Sequence, residues 1–228
     1  MGSSFFTHAG GVSQQGEPGS YEYATLEFRA NYPVAWASFW DAIRFANWLH
    51  NGQPSGPQGP ETTEDGAYTI TPEGIANNTI TRNPDARVFI PSFDEWLKAG
   101  YYKGGGTDAG YWQFPYQSDE QTVPGRPPGE PNTANISGVF LGAIEVGAFT
   151  ASVGPYGTFD QGGNVWEWSE TIIDSPVTFD PILRGLHGGG WAGEQREVLS
   201  IIPNFGCDLI VFGDLGLVRY GVAQFHIV

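Results

Sequence analysis

The sequence predicts an α+β fold, irregular and loop-rich, with two main helices and short antiparallel strands. Three observations carry that expectation. Two segments set apolar residues at helical spacing behind a serine suited to capping, and several short runs alternate apolar with polar residues at the period of a strand. Between them, 33 Gly and 17 Pro among 228 residues break the chain into turns. This length suits one domain over residues 1–228 with a core that needs no covalent staples.

The elements follow in order. Residues 1–31 are Gly/Ser-rich loop around one alternating run, Tyr21 to Phe28, which reads as a strand with one wet face. Ser38 then precedes Phe39, Ala42, Ile43, Ala46 and Leu49, with Asp41 at the capping-box position and Gly52 just past the end. Gln53 to Asp65 reads as a turn-rich surface excursion, and Tyr68–Ile70 with Thr79–Thr81 as a short hairpin. A second helix begins at Pro91-Ser92, capped by Ser92 with Glu95 three residues on, and puts Phe93, Trp96 and Leu97 on one face. From Gly100 to Pro155 the chain is irregular, with one strand expected over Val139–Ala143. Short strands close it: Gly163–Trp168, His187–Trp191, Val198–Ile202 and one or two within Leu209–Ile227.

Charge narrows the partners. A net charge of −15 and no basic cluster repel a phosphate backbone, so nucleic acid is not an expected partner. The same acidity suits calcium, a cationic surface or simple solubility. No apolar run approaches the roughly 20 residues that span a bilayer, and Met1-Gly2-Ser3-Ser4 opens no signal peptide. A single cysteine, Cys207, forms no internal disulfide and no multi-cysteine metal site.

Four segments in order carry a resemblance. They are Pro33-Val34 leading to Asp41-Ala42 and Asn47-Trp48-Leu49; Ile90-Pro91-Ser92 with Glu95-Trp96; Tyr156-Gly157 leading to Gly162-Gly163-Asn164-Val165-Trp166-Glu167-Trp168; and Arg184 leading to Gly188-Gly189-Gly190-Trp191. Together they resemble the formylglycine-generating enzyme, or sulfatase-modifying factor, family, which implies a variant of the C-type-lectin fold. The third segment is the specific one, because it joins a tight turn, two tryptophans and a carboxylate; alternation alone reads it as a half-buried strand. The family's N-terminal elements are expected to be missing or replaced by residues 1–31. Its closing pattern is blurred around Gly216–Val222.

The resemblance also says which chemistry to look for. Catalytic members hold copper with two cysteines, soft ligands for Cu(I), at positions that fall here at about Gly193 and Val198. Neither carries sulfur, so no copper is expected. His8, His50, His187 and His226 are dispersed and show no facing pair, and no nucleophile elbow, P-loop or dinucleotide fingerprint occurs. The resemblance implies calcium instead, held by side-chain oxygens of Asp160 and Glu167 and backbone oxygens of Gly163 and Val165. A second family site would use Asn135 and Ile136 with an acidic loop, of which only Glu145 remains before Pro155; alternatively Asn135 closes a turn.

The expected function is therefore a noncatalytic ligand-binding or interaction module, with a protein or glycan ligand and a secreted or cell-surface location. The alternatives are a self-assembling structural subunit and a divergent enzyme of the family. A homo-oligomer is expected, because the apolar residues Leu217, Val222, Phe225 and Ile227 would leave an open strand edge unless Tyr21–Phe28 covers it.

Overall fold

The computed structural model describes residues 12–17, 20, 22–35, 37–107, 109–174, 182–193, 198 and 223–224. Helix α1 spans Phe39–His50, and the Ser38–Asp41 capping box closes as expected: Ser38 Oγ accepts from the Asp41 amide while the Asp41 carboxylate accepts from the Ser38 amide. Its buried face, Phe39, Ala42, Ile43, Ala46 and Asn47, is the apolar stripe of the sequence with one polar addition. Asn47 is fully buried because its amide replaces backbone pairing: it donates to the carbonyls of Thr63 and Tyr68 and accepts from the Tyr68 amide. The turn-rich excursion is thereby tied to the helix, and it contains one π-helical turn, Pro60–Glu64.

The hairpin expected over Tyr68–Ile70 and Thr79–Thr81 does not form. Thr71 caps a short helix, α2, over Pro72–Ala76, and only an isolated bridge from Tyr68 to Arg82 joins the two arms. Proline at the first helical position behind a threonine cap is a helix start, and it takes the residues a hairpin turn needed. Helix α3, Phe93–Tyr101, has the expected Ser92–Glu95 box and buries Trp96, Gly100 and Tyr101.

Strands β1 (Val12–Gln15) and β2 (Glu22–Thr25) pair antiparallel with each other, so within the expected Tyr21–Phe28 strand the observed partner is β1. Strands β3 (Val123–Pro124) and β4 (Thr133–Ala134) form a two-residue parallel pair inside the long irregular stretch. Val139–Ala143 is a series of bends rather than a strand. Its end is held by side chains instead: Asn135 donates to the Gly142 carbonyl and Asn164 bonds both backbone groups of Ile144.

The central sheet has the order β6-β5-β7, with β5 at Trp166–Asp174, β6 at Ile182–His187 and β7 at Ala223–Gln224. The last strand before Trp191 thus ends at His187, because Gly188 and Gly189 both take φ near +80° and turn the chain away. Between Trp168↔Leu186 and Ile172↔Arg184 the register shifts, so Ser169, Glu170 and Thr171 bulge opposite Gly185. Of the Val198–Ile202 strand, Val198 is described, in a 3₁₀ turn, and the rest lies outside the described residues. So do Cys207, Gly216–Val222 and most of the Leu209–Ile227 segment. Ala223–Gln224 runs parallel to β5.

Trp166 and Trp168 both join the principal core with Phe39, Ile43, Tyr68 and Ile90. The half-buried reading of this strand fails on the other face, where Val165 and Glu167 are each 1% exposed. On that face the Glu167 carboxylate meets Trp96 of α3.

Candidate functional site

The turn of the third resembling segment lies where three loops meet, and Asn164 is its hub. With φ of +63°, a conformation asparagine tolerates, Asn164 presents every polar group inward. Its amide donates to the Asn135 carbonyl at 2.8 Å, its carbonyl accepts from the Trp191 amide at 2.9 Å, and Oδ1 accepts from the Ile144 amide and Asn135 Nδ2. Neighbouring Gly163 donates to the Gly188 carbonyl at 2.7 Å. A Cβ on Gly163 would lie 2.6 Å from Ile136 Cγ2 and 2.7 Å from the Asn135 carbonyl oxygen, so close approach of the two loops requires glycine there. Sequence reasoning named Asn164 in the motif but gave it no role; an Asn directly after Gly-Gly was the available signal.

Gly163, Asn135 and Ile136, assigned by the resemblance to two separate sites, are therefore packed side by side. The two carboxylates are engaged from different directions. Asp160 Oδ2 accepts from the Gly147 amide at 2.5 Å, and Glu167 Oε2 accepts from Trp96 Nε1 at 2.5 Å. Both charges act on the buried Tyr116 phenol, which burial first and Asp160 next push well above the ordinary tyrosine range. Tyr101 is raised by burial and by Glu167. Val165 is buried beside them. Asn135 Oδ1 is buried without a hydrogen-bond partner among the described residues, a hard oxygen of the type calcium accepts. The donor set fits that ion in chemical type: two carboxylates, an amide oxygen and backbone carbonyls.

Behind the turn, His187 packs its ring on Phe93 and Trp96 and lies 2.9 Å from Ser169 Oγ. Burial pushes its pKa down to about 4, so at neutral pH it is an uncharged core residue. Gly188 is needed here as well: a Cβ would sit 2.9 Å from the Gln161 carbonyl oxygen and 3.4 Å from the Trp96 ring. Arg184, from the fourth resembling segment, is structural. It donates to the carbonyls of Glu170 and Ile80 and to Asn78, and its guanidinium lies 4.5 Å from the centre of the Phe39 ring.

The positions matched to the copper cysteines carry a different chemistry. Gly193 offers a backbone carbonyl, which accepts from the Ser137 amide. Val198 is fully buried among Phe114, Tyr116, Ala134 and Ile136, and its carbonyl accepts from Tyr101 Oη at 3.0 Å. A branched apolar side chain packed by two aromatics supplies no ligand, so the residues present do not fit copper.

Comparison with known proteins agrees with this arrangement of motifs. The sequence profile of the sulfatase-modifying factor enzyme 1-like domain matches residues 7–205. Among solved structures, CarF matches with 23% identity and a TM-score of 0.44 over 75% of this chain and 61% of CarF. Variable protein 1 of Treponema denticola matches with 20% identity and a TM-score of 0.46 over 78% of this chain and 66% of that one. The chain thus spans less than two thirds of either protein's length, and neither likeness bears on function. A search of curated proteins gave no match.

Proposed function

Because the chain belongs to the sulfatase-modifying factor enzyme 1-like domain family, yet fills the place of the family's copper ligands with packed hydrocarbon, we propose that it is a noncatalytic binding module on that scaffold. The supporting observation is Val198, whose side chain completes an apolar cluster where one of the two thiolates would have to stand. The thiol chemistry of the family needs soft ligands, and no loop rearrangement turns glycine and valine into them. The test is direct. Purified protein given Cu(I), oxygen and a cysteine-containing peptide is expected to consume the thiol no faster than a protein-free control, and protein-dependent turnover of the peptide would sink the reading.

Calcium serves this module as a structural cross-link, with Asp160 and Glu167 giving side-chain oxygens and Gly163 and Val165 backbone carbonyls, while Asn135 and Ile136 belong to a second, neighbouring site. The ion would fix irregular loops that few backbone ladders hold. At 100 times its dissociation constant it adds about 2.7 kcal/mol. Chelation should therefore lower the thermal midpoint of the wild type and leave Glu167→Gln unmoved. Equal wild-type midpoints with calcium and with chelator would remove the ion from the account.

Self-association accompanies this reading. All four residues of β2 are exposed, and an isolated two-stranded ribbon is marginal in water unless something covers it. A mass above the monomer at micromolar concentration is expected by light scattering, and a strictly monomeric mass would refute it. A secreted or cell-surface location belongs to the same proposal.

A further inference from the structure

Two apolar features stand on the surface, one a projection and the other a hollow. The projection is the loop tip Val139-Phe140-Leu141, and Leu141, at 97%, is the most exposed large apolar side chain among the described residues. A single exposed leucine is ordinary; this one is held out on a pinned loop. The Ser137 and Gly138 amides donate to the Gly193 and Trp191 carbonyls, Asn135 Nδ2 donates to the Gly142 carbonyl, and the Ile144 amide donates to Asn164 Oδ1. An anchor fixed before contact loses little freedom when it binds.

The hollow lies between the segment that enters α1, the side of α1 itself and the loop after Ile144. Its volume is about 360 Å³, and its lining includes Tyr32, Val34, Ala37, Phe45 and Val146. Val34, Phe45 and Val146 are all exposed, so three large apolar side chains share one depression instead of being scattered. The walls are set in advance: the Val146 amide donates to the Asn31 carbonyl at 2.8 Å, and the Phe45 ring stacks on Trp48 at 5.7 Å. The volume is at the small end of the roughly 300–1,000 Å³ range of ligand sites, enough for a leucine with part of a neighbouring side chain.

Charge matches the two features to each other. Exposed Arg126 lies 4.8 Å from the centre of the Phe140 ring and gives the projection a positive flank. Asp41 is the one charged residue in the lining of the hollow. At its rim Arg29, 4.4 Å from the centre of the Tyr32 ring, and Glu145, next to Val146, are exposed and of opposite sign, so Asp41 sets the sign inside. An arginine brought to that acid offsets locally the repulsion between two chains of net charge −15. Leu141 does not enter the hollow of its own copy: it stands in water although Val146, five residues on, lines that hollow.

We propose that Leu141 of one copy docks in this hollow of a second copy, with Arg126 facing Asp41. The proposal rests on the reading of the chain as self-associating and gives that association a surface other than the β2 ribbon. Sedimentation velocity of the whole chain at micromolar concentration tests it, and the wild type should run above the monomer mass. Leu141→Asp and Val34→Asp, both at exposed positions, should each weaken association at least tenfold with the far-ultraviolet circular dichroism unchanged; Leu141→Met should retain it and Arg126→Glu should weaken it severalfold. An equimolar mixture of the two aspartate variants should associate again, because one keeps an intact hollow and the other an intact leucine. Misfolding of either variant would not restore assembly on mixing. A mixture no more associated than each variant alone overturns the proposal. A monomeric wild type would leave the hollow to a different partner and overturns the proposal together with the self-association reading, whereas assembly that both aspartates leave intact overturns the proposal alone.

Discussion

Protonating His187 should destabilise the fold, and the size of the effect follows from its burial. The imidazole is 7% exposed, flanked by Phe93 and Trp96, and held neutral down to pH about 4 against 6.5 for a free side chain. Between those values the unfolded chain takes up a proton that the folded chain refuses. Stability is therefore fully present above pH 6.5, falls as pH drops towards 4, and loses nothing further from this group below that. The difference of 6.5 minus about 4 corresponds to about 3 kcal/mol. Urea unfolding of wild type and His187→Gln at pH 7.5, 6.5, 5.5 and 4.5 measures it. Gln retains a partner for Ser169 Oγ but does not titrate, so the gap between the two proteins should shrink by about 2.5 kcal/mol across a series that ends just above the folded-state value. Parallel pH dependences, or a His187 resonance titrating near 6.5, would refute the burial argument.

Other expectations follow from single positions. Trp168→Ala should cost about 3–5 kcal/mol, because its ring is 4% exposed in the core and its Nε1 donates to the Ala37 carbonyl; a loss under 1 kcal/mol in urea would contradict that packing. Gly163→Ala and Gly157→Ala both place alanine at positive φ, but only the first meets backbone within 3 Å, so Gly163→Ala should be the more damaging by at least 1 kcal/mol, and equal losses would rule out the close approach. Ser92→Ala should cost about 1 kcal/mol through loss of the cap on the Glu95 amide, and an unchanged urea midpoint would show that the box contributes nothing.

The parts legible in the sequence are those decided by near neighbours. Ser38 with Asp41 and Ser92 with Glu95 are three residues apart, and both boxes form where the spacing predicts. The Gly-Asn-Val-Trp-Glu-Trp string likewise marks the buried strand and its turn. What escaped depends on partners far along the chain. Asn164 is settled by Asn135 and Ile144, 29 and 20 residues away, and burial of Glu167 by Trp96, 71 residues away. Tyr68–Ile70 looked like a strand because its alternation is real, but Thr71-Pro72 had already committed the next residues to a helix. The stack of Tyr156 on Tyr102 was invisible for a further reason: Tyr156 comes from a loop whose own sequence says only that it turns.

The bulge in β5 has a consequence for how the molecule comes apart. Its three residues face three different elements: Ser169 Oγ meets His187, Glu170 accepts from Tyr68 Oη and pairs with Arg82, and Thr171 Oγ1 accepts from the Phe93 amide at the start of α3. The Glu170 amide in turn donates to the Pro91 carbonyl. A regular ladder would have pointed alternate side chains to opposite faces and left the helix start to water. Here the amides of Phe93 and Glu170, 77 positions apart in sequence, can open only together, and such coupling is how separate segments become one cooperative unit. Their hydrogen-exchange rates should rise in step with denaturant and share one opening free energy.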